Sequence, residues 1–245
     1  MKFMMRLFIL ASAVLLISVN GFVPSKLSGS EARSAKSSIA LQAFTKEELV
    51  QMTKNYVENP NTEVWDDDFV FRGPVIGPLV KKDLIATLGP VASNLKEAFP
   101  DLEANAFGFN ADDPIEPNRV WYFVRPRGTF EGAFDHPVVG KIEPTGAKLI
   151  GPPEARSVTW TDEGKVKHQT VGYVTDRFTG DTTDGKGAVF GQYHVMGQNI
   201  DGVPGSPRLR FLQWLAEFLP GVPKSYSKKE DIPEWWTDPR LGADS

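Results

Sequence analysis

The chain has 245 residues, no cysteine and three histidines, and its formal net charge is −4. The lack of cysteine excludes disulfides, thiolate metal sites and thiol nucleophiles. The histidines fit no HExxH or HxH spacing, so we expect no metal site. A net-negative chain is also unsuited to binding nucleic acid, which requires a clustered basic face. The length indicates one globular domain or two small ones.

The N-terminal residues have the composition of a two-part targeting presequence. Lys2 and Arg6 precede an apolar run over residues 7–19, which predicts a signal peptide over residues 1–21. A membrane anchor is the competing interpretation, although the run is shorter than the roughly 20 residues that span a bilayer. Residues 22–43 are rich in Ser and Ala and net positive, as transit peptides are. The arrangement resembles presequences of algae whose plastids lie inside extra membranes, and it predicts a plastid location; a secreted protein is the alternative.

Helical patterns come first in the remaining chain. Thr45-Lys-Glu-Glu48 is a capping box, which predicts a helix that starts there and ends near Asn59. A short strand is predicted over residues 69–71. Two further helices are predicted over residues 80–88 and 91–99, and Pro100 ends the second of them.

Strand patterns follow the helices. Alternation with a period of two predicts strands over residues 119–125, 128–134, 156–161 and 166–175. Asp162-Glu-Gly164 lies between the last two and predicts a hairpin turn. Helices first and antiparallel strands afterwards are typical of the α+β class. We therefore predict an α+β domain over residues 44–200 and a C-terminal extension over residues 201–245 that contains a short amphipathic helix.

Three short motifs occur in a fixed order along this domain: Phe99-Pro-Asp-Leu102, Arg127-Gly-Thr-Phe-Glu-Gly132 and Pro144-Thr-Gly146. Together they resemble the SnoaL-like polyketide cyclase branch of the nuclear-transport-factor-2-like superfamily, over roughly residues 45–178. The resemblance implies a cone, in which a curved antiparallel sheet wraps around N-terminal helices and leaves a pocket at one end. A strongly bent sheet cannot fill its own concave face, which agrees with such a pocket. Phe130 departs from the family, because many relatives have His there.

The resemblance also implies a catalytic carboxylate and no cofactor. In the cyclases, an Asp late in the sheet moves the proton during ring closure, and Asp176 matches that position best. Period-two alternation places His168 and Asp176 on one face of the last strand, where they would divide acid and base roles if that face is concave. An apolar pocket would raise the pKa of the carboxyl. The competing interpretations are an exposed Asp at a strand end and a solvated His that follows Lys165 and Lys167.

Further residues are candidates for binding. Asp101 belongs to the first motif, but an Asp just after a helix-stopping Pro also occurs as a turn or cap residue. Large aromatic side chains are expected to line the pocket or fill the core. They are Trp121, Tyr122, Phe71 and Trp160.

Two functions from different classes fit these patterns. One is a cofactor-independent isomerase, cyclase or dehydratase that acts on an apolar small molecule; the other is a non-catalytic small-molecule-binding or protein-interaction module. They differ in whether Asp176 lies in an apolar cavity or projects into water. A homodimer through the outer sheet face is also expected from the resemblance. The stretch from Leu209 to Leu219 either packs on the domain or contacts a membrane surface, helped by Arg208 and Arg210.

Overall fold

The structure is a computed structural model that describes residues 43–136, 140–179, 182–198, 207–218 and 224–237. The predicted signal peptide and nearly all of the predicted transit peptide lie outside the described residues. None of the described helices has both the length and the apolar character that a membrane span needs.

Helix α1 (Lys46–Glu58) begins at the predicted capping box. The Thr45 hydroxyl accepts from the Glu48 N–H, and the Glu48 carboxylate accepts from the Thr45 N–H at 2.7 Å. Two otherwise unpaired donors of the first turn are thereby satisfied. The helix buries Leu49, Thr53 and Tyr56 on one side, so it packs on the sheet through a single face.

Helix α2 (Lys81–Ala98) is one element where the sequence predicts two. Proline removes one helical hydrogen bond and usually kinks or breaks a helix, but Pro90 lies inside α2. Leu84 on one side of the proline, and Val91 and Leu95 on the other, are all buried in the core. Packing of both halves against the same core outweighs the local preference for a break.

Six of the described strands form the main sheet: β1 (Trp65–Arg72), β2 (Leu79–Val80), β3 (Ala106–Asn110), β4 (Arg119–Val124), β9 (Glu154–Trp160) and β10 (Val166–Val174). Their order in the sheet is β2-β1-β10-β9-β4-β3. Two small antiparallel pairs complete the described strands, β5 (Arg127–Thr129) with β8 (Lys148–Ile150) and β6 (Phe134–His136) with β7 (Gly140–Ile142).

The predicted α+β class with a curved sheet and N-terminal helices is confirmed. The sheet is mixed rather than purely antiparallel, because β1 and β10 run parallel. Parallel neighbours need a long crossover, and the chain from residue 73 to residue 165 provides it. The pairing register shifts within β1–β10, β10–β9 and β3–β4. Such bulges bend the strands.

The two faces of the sheet follow from the register. The inner face contacts α1: the Tyr56 hydroxyl donates to Gln169 at 3.0 Å, and the Trp160 indole donates to Thr53 at 2.9 Å. Cross-strand neighbours on the inner face are Phe71, Gln169, Val158 and Val120. On the outer face the corresponding neighbours are Val70, His168, Thr159 and Arg119.

The C-terminal part of the chain packs on this domain. Helix α3 (Ala188–Val195) contacts β8, and helix α4 (Pro207–Ala216) follows. Residues 224–237 contact the segment that connects β1 to α2 and the first turn of α2. The Gly77 N–H donates to the Ser225 carbonyl at 2.7 Å, and the Ser227 hydroxyl donates to Asp83 at 2.7 Å. Lys224 forms an ion pair with the same carboxylate. The described residues of the extension are therefore part of the folded unit.

Candidate ligand pocket

A cleft of two adjoining compartments opens on the inner face of the sheet. The inner compartment has a volume of about 100 Å³ and the outer one about 650 Å³. Four residues line both compartments: Val57, Pro60, Leu102 and Ala104. The inner compartment lies between α1, β4, β9, β10 and the start of α3. The outer compartment lies between the end of α1, the end of α2 and β3, and its charged residues include Lys54, Glu58, Lys96 and Glu103.

The Arg156 side chain lines the inner compartment and belongs to a buried ion pair. Arg156 lies two residues after Glu154 on β9, and its Nη2 is 2.8 Å from Glu154 Oε2. The other carboxylate oxygen accepts from the Ala188 N–H at 2.6 Å, where α3 begins. Burial acts to lower the pKa of Arg156, but the adjacent carboxylate outweighs it and leaves this pKa above its ordinary value. Arg156 therefore stays charged, and Glu154 compensates that charge.

Tyr122 stands opposite Arg156 on the neighbouring strand and lines the inner compartment. Burial raises the pKa of its phenol, although a hydrogen bond with Arg156 and the positive charge act in the other direction. Its ring stacks on Phe109, with centroids 5.2 Å apart and an interplanar angle of 8°. Because Phe109 lines the outer compartment, this aromatic pair connects the two parts of the cleft.

A second polar network closes the other side of the inner compartment. The Trp65 indole donates to the Tyr56 oxygen at 2.7 Å, and the Tyr56 hydroxyl donates to Gln169 at 3.0 Å. Burial raises the pKa of Tyr56. Both pocket phenols are consequently protonated at neutral pH and serve as donors rather than bases.

The prediction that Asp176 is a pocket acid is wrong. Strand β10 ends at Val174, and Asp176 lies in the exposed turn that follows. Its carboxylate accepts from the Phe178 N–H at 2.9 Å and from the Thr179 hydroxyl. These hydrogen bonds lower the pKa of Asp176, whereas a general base in an apolar pocket has a raised pKa. The residue closes a turn and does not face the cleft.

The prediction that His168 faces the pocket is also wrong, because the alternation has the opposite phase. Gln169 and Val171 line the inner compartment, and His168 points to the outer face. There it is covered by the C-terminal segment, with the Trp236 ring edge-on at 5.0 Å and the Trp235 ring at 5.8 Å. Burial, aided by nearby positive charges, lowers the pKa of His168 to about 3. Within the described ranges, neither ring nitrogen has a hydrogen-bond partner.

Apart from Tyr122, the remaining candidate residues make contacts that support the fold and do not form part of the pocket. Trp121 lies on the outer face and donates to Asp113 at 2.8 Å, so it is not part of the pocket lining. Phe71 and Trp160 are buried in the core. Asp101 accepts from the Thr129 N–H at 2.6 Å and from its hydroxyl at 2.7 Å. These bonds lower the pKa of Asp101 and attach β5 to the turn after α2.

The sequence interpretation missed the Glu154 and Arg156 pair. Their spacing of two residues at the start of a strand was the available signal, because it places both side chains on one face. Helix α3, which contributes Ala188, Val189 and Gln192 to the lining, was also missed. Among the described residues, no cluster of three or more acidic or histidine side chains is arranged to hold a metal ion.

No known protein family and no curated protein matches the sequence. Solved structures that are similar include a protein assigned to the SnoaL-like polyketide cyclases from Jannaschia sp. CCS1, with 18% identity and a TM-score of 0.36 over 57% of this chain and 90% of that chain. A phenazine biosynthesis-related protein from Pseudomonas aeruginosa has 13% identity and a TM-score of 0.39 over 71% and 94%. A protein assigned as an isomerase of the SnoaL-like family from Agrobacterium tumefaciens strain C58 has 13% identity and a TM-score of 0.29 over 50% and 92%. Two of the three carry the family description that the sequence motifs resemble.

Proposed function

We propose that this protein binds a small molecule in the cleft and does not catalyse proton transfer. The ligand has an apolar body and a hydrogen-bond acceptor that meets Arg156 and Tyr122. The observation that carries the proposal is the composition of the inner wall: it offers hydrogen-bond donors, and no carboxylate or imidazole lines the described part of it.

The state of Glu154 supports binding over acid–base chemistry. A general base must reach the proton that it removes within hydrogen-bond distance. Glu154 lines neither compartment: its side chain is fully buried, one oxygen accepts from the Ala188 N–H and the other accepts from Arg156. Burial raises the pKa of both pocket phenols, which therefore remain protonated at neutral pH. Neither Glu154 nor the two phenols therefore accept a substrate proton at neutral pH.

The dimensions of the cleft favour a ligand with a small polar end. Small-molecule sites commonly have volumes of roughly 300 to 1,000 Å³. The inner compartment, at about 100 Å³, fits only a head group, whereas the outer compartment of about 650 Å³ fits the rest of the molecule. Because Glu154 already neutralises Arg156, a neutral carbonyl-type acceptor is favoured over a carboxylate.

One observation favours a proton-transfer enzyme as the second candidate. Arg156 and Tyr122 are donors on adjacent strands, and such paired donors stabilise an oxyanion when it forms. The proton would then have to go to a carboxylate of the outer compartment, and Glu103 and Glu58 line it. This alternative predicts chemical turnover of the bound compound, which the binding function excludes.

The test is native mass spectrometry of the protein purified from its own cells, followed by rebinding of the released compound. Tyr122→Phe removes one hydroxyl and keeps the ring stack on Phe109. We expect it to weaken binding by about threefold to tenfold, the effect of one lost hydrogen bond. Tyr173→Phe is the matched control, because Tyr173 does not line the cleft. Unchanged affinity of Tyr122→Phe, or conversion of the compound to a new mass, would contradict the proposal.

We also propose that the protein is delivered to a plastid. The support is the sequence of residues 1–43 alone, with a signal-peptide part before a transit-peptide part. The test is a fusion of these residues to a fluorescent protein, expressed in an alga whose plastids lie inside extra membranes. Plastid fluorescence supports the proposal, and fluorescence in the medium supports the secreted alternative.

A further inference from the structure

Helix α4 and the turn directly after it present three exposed aromatic residues on one side. Phe211, Trp214 and Phe218 are 56%, 50% and 64% exposed and form what we call the aromatic stripe. Their spacing of three and four residues places them along one face. Their rings also touch in sequence, with centroid distances of 5.8 Å and 5.0 Å. Aromatic surface of this kind costs free energy in water and is typical of a contact site.

The opposite side of α4 fixes the direction of the stripe. Leu209 is buried in the core. The Gln213 side chain donates to the Val75 carbonyl at 2.6 Å. The helix is therefore attached to the domain through one face, and the aromatic stripe points away from it.

The charges near the stripe favour an anionic partner. Arg210 is exposed directly beside Phe211, and the sequence adds Arg208 one residue before Leu209. Residues 207–218 contain one acidic residue, Glu217, which forms a hydrogen bond with Tyr226. Burial raises the pKa of the Tyr226 phenol, and Glu217 raises it further. The outward-facing charge at the N-terminal end of the helix is consequently positive.

We propose that the aromatic stripe docks on a lipid surface that contains anionic headgroups. Trp and Phe beside Arg are typical of helices that lie in the interface of a membrane. A second copy of this chain fits less well. Side chains of this type have roughly 200 Å² each, so the stripe exposes roughly 350 Å² in total. A stable dimer buries about 800 Å² on each partner.

The experiment measures partition of the full chain onto large vesicles by flotation. Leu10→Asp and Leu16→Asp are introduced in every sample, so that the apolar N-terminal run does not itself insert. The vesicles are either pure phosphatidylcholine or an equal mixture of phosphatidylcholine and phosphatidylglycerol. The stripe variant is Trp214→Ser with Phe218→Ser. Phe178→Ser is the matched control, because Phe178 is an exposed aromatic residue outside the stripe.

We expect the parent chain and the Phe178→Ser control to bind the anionic vesicles. The stripe variant should lose at least about tenfold in partition coefficient. Arg210→Glu should weaken binding to the anionic vesicles more than to the neutral ones. Equal binding of the stripe variant and the parent chain overturns the proposal. It is also overturned if the parent chain binds neither vesicle, including the case in which sedimentation shows that the stripe holds a dimer together.

Discussion

His168 makes the stability of the fold depend on pH in a way that can be calculated. Its imidazole is buried under Trp236, and its pKa is lowered from 6.5 to about 3. Positive charges face it from three strands: Arg72 on β1, Arg119 on β4 and Lys167 on β10. Between pH 6.5 and about 3, the unfolded chain binds a proton at residue 168 and the folded chain does not. Stability is therefore complete above pH 6.5 and is lost as the pH falls.

The loss amounts to about 1.4 kcal/mol for each pH unit below 6.5. Between pH 6.5 and pH 4 it is on the order of 3 kcal/mol, still above the folded-state pKa. Urea unfolding followed by tryptophan fluorescence at pH 7, 5 and 4 measures it. His168→Leu should abolish this part of the pH dependence, and His194→Gln is the control at a second histidine. If His168→Leu and the parent chain lose equal stability between pH 7 and pH 4, the reasoning is refuted.

Three other substitutions test the site and the core. Glu154→Gln leaves Arg156 without its buried counter-ion and should cost about 3 to 5 kcal/mol in urea unfolding; a cost near zero would contradict the ion pair. Thr53→Val leaves the Trp160 indole N–H without its acceptor and should cost about 1 to 3 kcal/mol, measured in the same way, with an unchanged midpoint as the contrary result. Asp176→Asn should leave ligand affinity unchanged in calorimetry, and a loss of affinity would return this residue to the candidate site.

Local signals were sufficient for several elements. The capping box predicted the start of α1, because Thr45 and Glu48 satisfy each other's backbone N–H whatever the tertiary context. The turn between β9 and β10 was predictable in the same way: Gly164 has a φ of +75° and the Thr161 N–H donates to the Lys165 carbonyl. Each of these depends on a few neighbouring residues.

The faces of β10 were not predictable from alternation. Period-two reasoning assumes that one face is solvated, but His168, Gln169, Thr170 and Val171 are all buried. The inner side is covered by α1, and Trp236 covers the outer side from a position far along the chain. The predicted alternation along β10 was therefore shifted by one residue, and Gln169 lines the pocket where His168 was expected.

Helix α3 was missed for a related reason. Its apolar residues are not confined to one side, it contains Gly191, and its N-cap residue Gly187 makes no side-chain hydrogen bond. The sequence has neither the usual helix start signals nor a row of apolar residues at helical spacing. What places the helix is the contact of its first N–H with Glu154 on another element, which no local pattern contains.

The homodimer expected through the outer sheet face stays a prediction. Part of that face, at His168, is already covered by Trp236. Exposed aromatic residues remain at its other end, where Phe107 stacks on Phe123 beside the half-exposed Trp121. Sedimentation of Trp121→Ser would show whether this region joins two copies.

Glu154 links Arg156 to the start of α3, and both of these line the inner compartment. One oxygen holds Arg156 at the cleft, and the other holds the first amide of α3. A ligand that draws the guanidinium toward itself weakens its hold on the shared carboxylate, which then accepts more strongly from Ala188. The amide proton of that alanine should move downfield in a nuclear magnetic resonance spectrum as the cleft fills. Occupancy thus becomes visible at a helix terminus, even for a compound with no signal of its own.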